Sequence, residues 1–324
     1  MTIRPSITIA SMHVMILGAG AHAAAEEPVL VQPSWEVGHT IYVEWETEGI
    51  FRVDREEESS KMTVWETMGF LCTVVERLPK GGVRLQVTFD RFAAGDDISG
   101  TRMTSDSDQS NRSGVNDPFF EVLRPVLGES YTVELNAKGV VQCVRGLDKL
   151  LALVERVSRN ELALRHAEVV LDEQMHMGMW DLFHAPYAFR AVRPGDTWRR
   201  VIQSYKGPNG YRFTAKRIDG GSDQRVHIEY TVAAVPSPET QAAERWWGVR
   251  YENRRMRARG TAVFVPKDGY IVEMRESGEE RADMESKDGA TGKQGTGTRQ
   301  MSWRQSVVVL TKAERQRQKD RAKP

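Results

Sequence analysis

Along several stretches of this chain the side chains alternate between apolar and polar. That period of two commits those stretches to sheets with one buried face and one wet face. Ile41, Val43 and Trp45 alternate with Tyr42, Glu44 and Glu46; Val83, Leu85, Val87 and Phe89 with Arg84, Gln86, Thr88 and Asp90; Val226, Ile228 and Tyr230 with Arg225, His227 and Glu229. A parallel sheet covered on both sides would instead show unbroken apolar runs, so the pattern predicts antiparallel strands. Turn chemistry agrees. Pro79-Lys80-Gly81-Gly82, Ala137-Lys138-Gly139, Asp219-Gly220-Gly221 and Lys267-Asp268-Gly269 each separate two strand signals.

The pieces recur in order. Gly38-His39-Thr40-Ile41 opens one half and Gly195-Asp196-Thr197-Trp198 the other, and a long hairpin and then a shorter one follow in each. Tandem duplication and chance recurrence of generic hairpins both account for this. Between the halves, Leu147, Leu150, Leu151, Val154 and Val157 fall at helical spacing and predict an amphipathic helix over 148–158. Asn160 is a candidate N-cap for a second helix running toward Phe183, and Asp117 caps a short helix over 118–127. The expected fold is α+β, mainly antiparallel β: two tandem related curved β-units, 35–146 and 191–311, with a helical insert over 147–190 and a charged tail over 312–324. Three stretches, 95–114, 277–298 and the tail, lack apolar periodicity and read as solvated.

The first 25 residues read as a signal peptide. Arg4 precedes an apolar run from Ile7 to Ala21 that is too short to span a bilayer, and small-x-small sites favour cleavage near Ala25. The expected location is periplasmic or extracellular, with no transmembrane helix in the mature protein. Lysine plus arginine and aspartate plus glutamate both number 45, and that balance argues against a dedicated nucleic-acid binder. An oxidising compartment leaves two readings for Cys72 and Cys143. They form either a disulfide, worth roughly 4 kcal/mol by loop closure, or two buried thiols.

Asp117-Pro118-Phe119-Phe120, the run from Leu127-Gly128 through Tyr131–Gly139, Val144-Arg145-Gly146 and Pro194-Gly195-Asp196-Thr197-Trp198 together resemble an exported bacterial family catalogued as domain of unknown function 6263. The resemblance extends over residues 35–277. It implies an extracytoplasmic protein, lipid-anchored in some relatives, with no established activity and no catalytic residues to carry over. This chain lacks the cysteine that would carry such an anchor.

Candidate chemistry is sparse. Met175-His176-Met177-Gly178-Met179, with His166 and His184, offers the soft ligand set suited to copper(I), but methionines at helical spacing more often fill a core, and no metal or cofactor is assigned. Asp106, Asp108, Ser110 and Asp117 match part of a calcium loop whose glycine is replaced by Asn111, and read as a solvated loop. No Gly-x-Ser-x-Gly, His-Glu-x-x-His or complete phosphate loop occurs, so the chain is read as a non-enzyme, with an unrecognised hydrolase as the remaining alternative.

Two binding surfaces are expected. One is a hollow lined by Trp45, Trp65, Phe89, Leu151, Met179, Trp198 and Tyr230, plugged or lidded by the insert and suited to a lipid-like ligand. The other is the segment of Arg245, Trp246, Trp247, Arg255, Arg257 and Arg259, suited to an anionic envelope component. There the plainer reading is cross-strand pairing of the arginines with Glu273 or Glu229.

Overall fold

A computed structural model describes residues 27–55, 58–98, 101–109, 118–204, 207–220, 224–235, 249–287 and 294–322. The predicted signal peptide, together with Arg245, Trp246 and Trp247, lies outside the described residues. The strands are β1 (Val29–Val31), β2 (Thr40–Arg55), β3 (Glu58–Arg77), β4 (Val83–Ile98), β5 (Thr101–Asp106), β6 (Ser130–Leu135), β7 (Val141–Arg145), β8 (Arg190–Val192), β9 (Thr197–Ser204), β10 (Gly207–Ile218), β11 (Val226–Ala234), β12 (Val249–Val265), β13 (Tyr270–Lys287) and β14 (Gln294–Leu310). The helices are α1 (Pro118–Leu123), α2 (Leu147–Val157), α3 (Glu161–Val170), α4 (Glu173–His184) and α5 (Lys312–Ala322).

Twelve strands form one antiparallel sheet in the order β7-β6-β4-β3-β2-β14-β13-β12-β11-β10-β9, with β5 added beside the far end of β4. The two halves of the chain are thus parts of one continuous sheet. β14 pairs with β2 from Leu310↔Tyr42 to Gly297↔Arg55 and joins the halves into one surface. β1 and β8 form a separate two-stranded ribbon. The predicted turns fall where expected. At the β12–β13 turn Gly269 has φ +71°, and a Cβ there would lie 2.3 Å from Ser34 Cβ, so both backbone conformation and space call for glycine.

One sheet face, the core face, carries Val43, Phe70, Phe89, Tyr131, Phe213 and Ile228, all nearly or fully buried. The helical insert covers it. α2 turns Leu147, Leu150 and Val154 inward, which meets the predicted amphipathic helix. Asn160 does cap α3, its Oδ1 accepting from the Ala163 N–H at 3.1 Å. The expected single helix toward Phe183 is two, because Asp172 leaves helical geometry and caps α4 by accepting from the Met175 N–H at 2.8 Å. The helix expected over 118–127 ends at Leu123 and continues as one 3-10 turn over Arg124–Val126.

α4 lies between the two edge strands of the sheet. Asp181 Oδ1 accepts from the Val141 N–H of β7 at 2.7 Å, while Arg200 of β9 donates to the Lys138 and Tyr187 carbonyls at 3.1 and 3.3 Å. Both edges, which would otherwise invite pairing with another chain, are thereby engaged.

The expected solvated stretches need correction. Residues 277–287 and 294–298 belong to β13 and β14, whose alternation is polar enough to hide from an apolar-period search. Residues 95–106 complete β4 and form β5. The charged tail is helix α5. Thr311 and Glu314 cap it reciprocally, Thr311 Oγ1 accepting from the Glu314 N–H at 3.2 Å and Glu314 Oε2 from the Thr311 N–H at 2.7 Å. Arg315 then anchors it to the sheet's other face, donating to Asp90 and Asp108 and lying 4.6 Å from the Tyr42 ring centroid. Tyr42 and Glu44, expected on a wet face, are consequently 0% and 7% exposed.

Candidate functional site

On the core face, the space expected to hold a ligand is filled by side chains. Trp180 of α4 is 1% exposed and meets Phe70 edge-on at 5.8 Å, and Phe183 and His176 pack beside it. Trp45, Phe89, Met179 and Tyr230 join this core, with Leu151 and Trp198 packed against it. Trp65 does not. Its register partner is Glu48, on the opposite face from Trp45, so the side-chain period that places Trp45 inside places Trp65 outside. The space left near Cys72, Trp180 and Tyr187 is about 30 Å³, room for a single water.

The filling carries a closed polar chain. Trp180 Nε1–H donates to the Tyr131 hydroxyl at 2.9 Å. Tyr131 pairs with His176 Nδ1 at 2.8 Å, and His176 Nε2 lies 2.9 Å from the Val170 carbonyl. A carbonyl only accepts, so Nε2 carries the proton and Nδ1 accepts from Tyr131. Both imidazole nitrogens are thus engaged, and the methionine-flanked histidine serves packing. Burial holds His176 and His184 down to about 4, keeping both neutral.

The cysteine question resolves as two free thiols. Cys72 faces Val87 on the core face, whereas Cys143 faces Glu134 on the other, so no rotamer brings them together. Burial pushes the Cys72 thiol up, while Cys143 is half-exposed beside the Arg145 guanidinium, which donates to its sulfur at 3.2 Å. Alkylation of the native protein is expected to label Cys143 alone, with Cys72 reacting only after unfolding; mass spectrometry counts the adducts. Two adducts on the folded protein, or none after unfolding without reductant, would contradict this arrangement.

A second buried polar feature crosses the core face. Glu66, Thr47, Gln305 and Glu276 are successive register partners on β3, β2, β14 and β13. Glu276 Oε1 accepts from Trp303 and Gln305, both at 3.2 Å, but among the described residues Glu276 Oε2 and Glu66 Oε1 are buried without a hydrogen-bond partner. Burial raises both carboxyls to about 7.

Each carboxyl therefore keeps, in the folded protein, a proton that the unfolded chain releases above pH 4.5, so stability falls as pH rises through that window and up past 7. The two histidines act oppositely, adding stability as pH rises from about 4 through 6.5, with a remainder that fades by about pH 7.5 as the unfolded imidazoles finish losing their protons. Between pH 6.5 and 8 the carboxyl effect is the larger, reinforced slightly by Asp181, which burial raises to about 6. Urea melts are expected to lose about 1 kcal/mol over that interval, and the E66Q/E276Q variant to lose none of it. Stability that is flat or rising there in the unaltered protein would refute the burial of the two acids.

The sheet's other face, the open face, is concave across β2–β5 and β10–β14 and forms a trough of about 1320 Å³. Two rows of side chains line it. One runs Arg212, Thr231, Arg259, Ser277, Arg304, Glu48 and Trp65, each the register partner of the next on seven adjacent strands. The parallel row runs Thr214, Glu229, Thr261, Arg275, Ser306, Glu46 and Thr67.

In the second row the charges are satisfied. Lys216 pairs with Glu229 at 3.2 Å, Arg275 pairs with Glu273, and the Ser306 hydroxyl donates to Glu46 at 3.1 Å. In the first row Arg212, Arg259 and Arg304 are exposed and, among the described residues, have no ion-pair partner. Trp65 is half-buried at the end of this row, its Nε1–H buried without an acceptor among the described residues.

The arginine strand is β12. Arg255, Arg257 and Arg259 do alternate onto the open face, but their register partners are Arg281, Glu279 and Ser277 rather than Glu273 or Glu229. Only Arg259 enters the trough lining. Sequence reasoning missed Arg212 and Arg304, which lie 92 residues apart in the chain and meet only through the sheet; their one signal was a hydroxyl or charge at every second position. Asp106 and Asp108, expected in a solvated loop, accept from Arg91 and Arg315; Ser110 and Asp117 lie outside the described residues.

These features define an antiparallel β protein whose one large sheet is plugged by helices on one face and grooved on the other. Residues 80–224 match the model of a family of unknown function, DUF6263, the family its hairpin and turn motifs resemble. The match is narrower than the resemblance drawn from those motifs; it runs from the β3–β4 turn through the insert to the β10–β11 turn.

No curated protein matches the chain. Among solved structures, lipovitellin, in a structure titled for its lipid–protein interactions, is 8% identical at a TM-score of 0.48, covering 86% of this chain and 25% of that one. DynF from the dynemicin biosynthesis pathway of Micromonospora chersina is 8% identical, covering 96% and 95% at a TM-score of 0.21. OccK7 of Pseudomonas aeruginosa is 9% identical, covering 84% and 99% at 0.21. The chain thus spans a quarter of the length of lipovitellin. No helix among the described residues is long and apolar enough to cross a membrane.

Proposed function

We propose that this is an exported, non-enzymatic binding protein that takes a charged ligand on the trough of its open face. The observation that carries this reading is the contrast in space: about 1320 Å³ on the polar face against about 30 Å³ between α4 and the core face. The exposed arginines of the first row supply charge for an anionic ligand. The non-enzymatic reading is supported by where the shifted groups sit. His176 and His184 lie in the packed core, away from the trough, and Glu66 and Glu276, although both border it, belong by register to the core-face row of β3 and β13.

Thermal melts of the mature chain against phosphate, acidic sugars, fatty acids and phospholipid test it. Anionic ligands are expected to raise Tm, and R259E to reduce the gain. A rise with fatty acid or phospholipid alone would overturn it.

A second reading keeps the lipid-like ligand in the hollow. It is favoured by the place of α4, whose aromatic face is the filling and whose departure would free both edge strands. Native mass spectrometry separates the two: a co-purifying lipid, with faster hydrogen exchange in α4, supports the hollow, and a stoichiometric envelope protein would point to a scaffold instead.

A further inference from the structure

The first trough row has a spacing that narrows the ligand beyond its sign. Arg212, Arg259 and Arg304 stand on β10, β12 and β14, with Thr231 and Ser277 on the strands between. Adjacent strands lie ~4.8 Å apart, so the cations recur every two strands, at roughly 10 Å, with a hydroxyl midway. The row runs across the strands, passes Glu48 of β2 and ends on Trp65. Gly95 faces Trp65 in register, leaving no side chain on that side of the ring.

A ligand that fits must be linear, carry negative charge at about that interval, and present hydrogen-bonding groups between charges. It must also offer a flat, partly apolar face to an indole. We propose that the trough binds an acidic polysaccharide in which uronic acids alternate with neutral sugars. Each uronate meets one arginine, each neutral sugar meets the intervening hydroxyl, and a terminal ring lies against Trp65. Guanidinium forks match carboxylate geometry, and a sugar's C–H face stacks on an aromatic ring.

A planar anionic membrane fits less well, because the arginines line a concavity. A polymer with a charge on every unit would place half its charges over Thr231 and Ser277.

The inference rests on the trough being the ligand surface. The test is calorimetric titration of the mature protein with four probes: an octasaccharide of alternating glucuronate and N-acetylglucosamine, a polygalacturonate octamer, an uncharged cello-oligosaccharide, and vesicles with about 30% anionic lipid. The alternating octasaccharide is expected to bind tightest, with affinity falling as salt rises. R212E, R259E and R304E are each expected to weaken it roughly five- to tenfold, with the corresponding lysine variants intermediate and W65A also weaker. These residues are exposed or half-buried, and circular dichroism verifies each variant's fold.

Equal or tighter binding of the polygalacturonate, the neutral sugar or the vesicles would overturn the proposal, as would arginine reversals that leave affinity unchanged. If the octasaccharide fails while phosphate still raises Tm in an Arg259-dependent way, the glycan assignment falls and the trough reading stands.

Discussion

Replacing Trp180 by alanine is expected to destabilise the protein by about 3–5 kcal/mol, the range for removing a buried tryptophan. Its ring is the centre of the helical filling, edge-on to Phe70 at 5.8 Å and to Phe183 at 5.8 Å. Its Nε1–H is also one of two groups bonded to the buried Tyr131 hydroxyl. Truncation would leave a cavity among rigid strands that cannot collapse, and would remove one hydrogen bond from the buried Tyr131 hydroxyl. Trp180→Phe, which restores most of the volume but not the donor, is expected to cost about 1–2 kcal/mol. Urea denaturation read by circular dichroism gives both numbers. A loss under about 1 kcal/mol for the alanine variant would show that α4 is not part of the cooperative core, and would strengthen the reading of α4 as a lid.

Arg315→Met is expected to cost about 3 kcal/mol and to release α5 from the sheet. The Arg315 side chain is 3% exposed, with Nε 2.8 Å from Asp90 and its two terminal nitrogens 2.8 and 3.1 Å from Asp108. Methionine keeps much of the packing over Tyr42 but leaves Asp90 to Lys319 alone, and Asp108 to Arg91 at 3.5 Å. Lysine retains one charge without the fork and should fall between. Hydrogen exchange across α5 checks the local release, and equilibrium melts check the total. Unchanged protection in α5 would mean that its contacts do not depend on this guanidinium.

The strands were legible because alternation is a local property. Ile41 to Trp45, Val83 to Phe89 and Val226 to Tyr230 each report their own pleat, and Gly269 reports its own turn. Where alternation was polar on both faces, as in Ser277 to Lys287, the same logic returned a loop. α5 failed differently. Its composition is charged throughout, and only the Thr311–Glu314 capping pair marked its start, a signal overshadowed by the absence of apolar periodicity.

Facing was the weaker inference. Trp65 was grouped with Trp45 because both are tryptophans in strands, yet an odd or even offset against β2 decides which face each takes. The same parity separates Cys72 from Cys143.

The amino-acid sequence by itself determined the antiparallel strands, most of their turns and the helices between them, since each depends on residues within a few positions of one another. Only the tertiary structure decided that both halves share one sheet, that the hollow is filled, and that Arg212, Arg259 and Arg304 stand in one row. Those outcomes depend on register between strands distant in the chain, and a shift of one residue in that pairing turns every side chain to the opposite face.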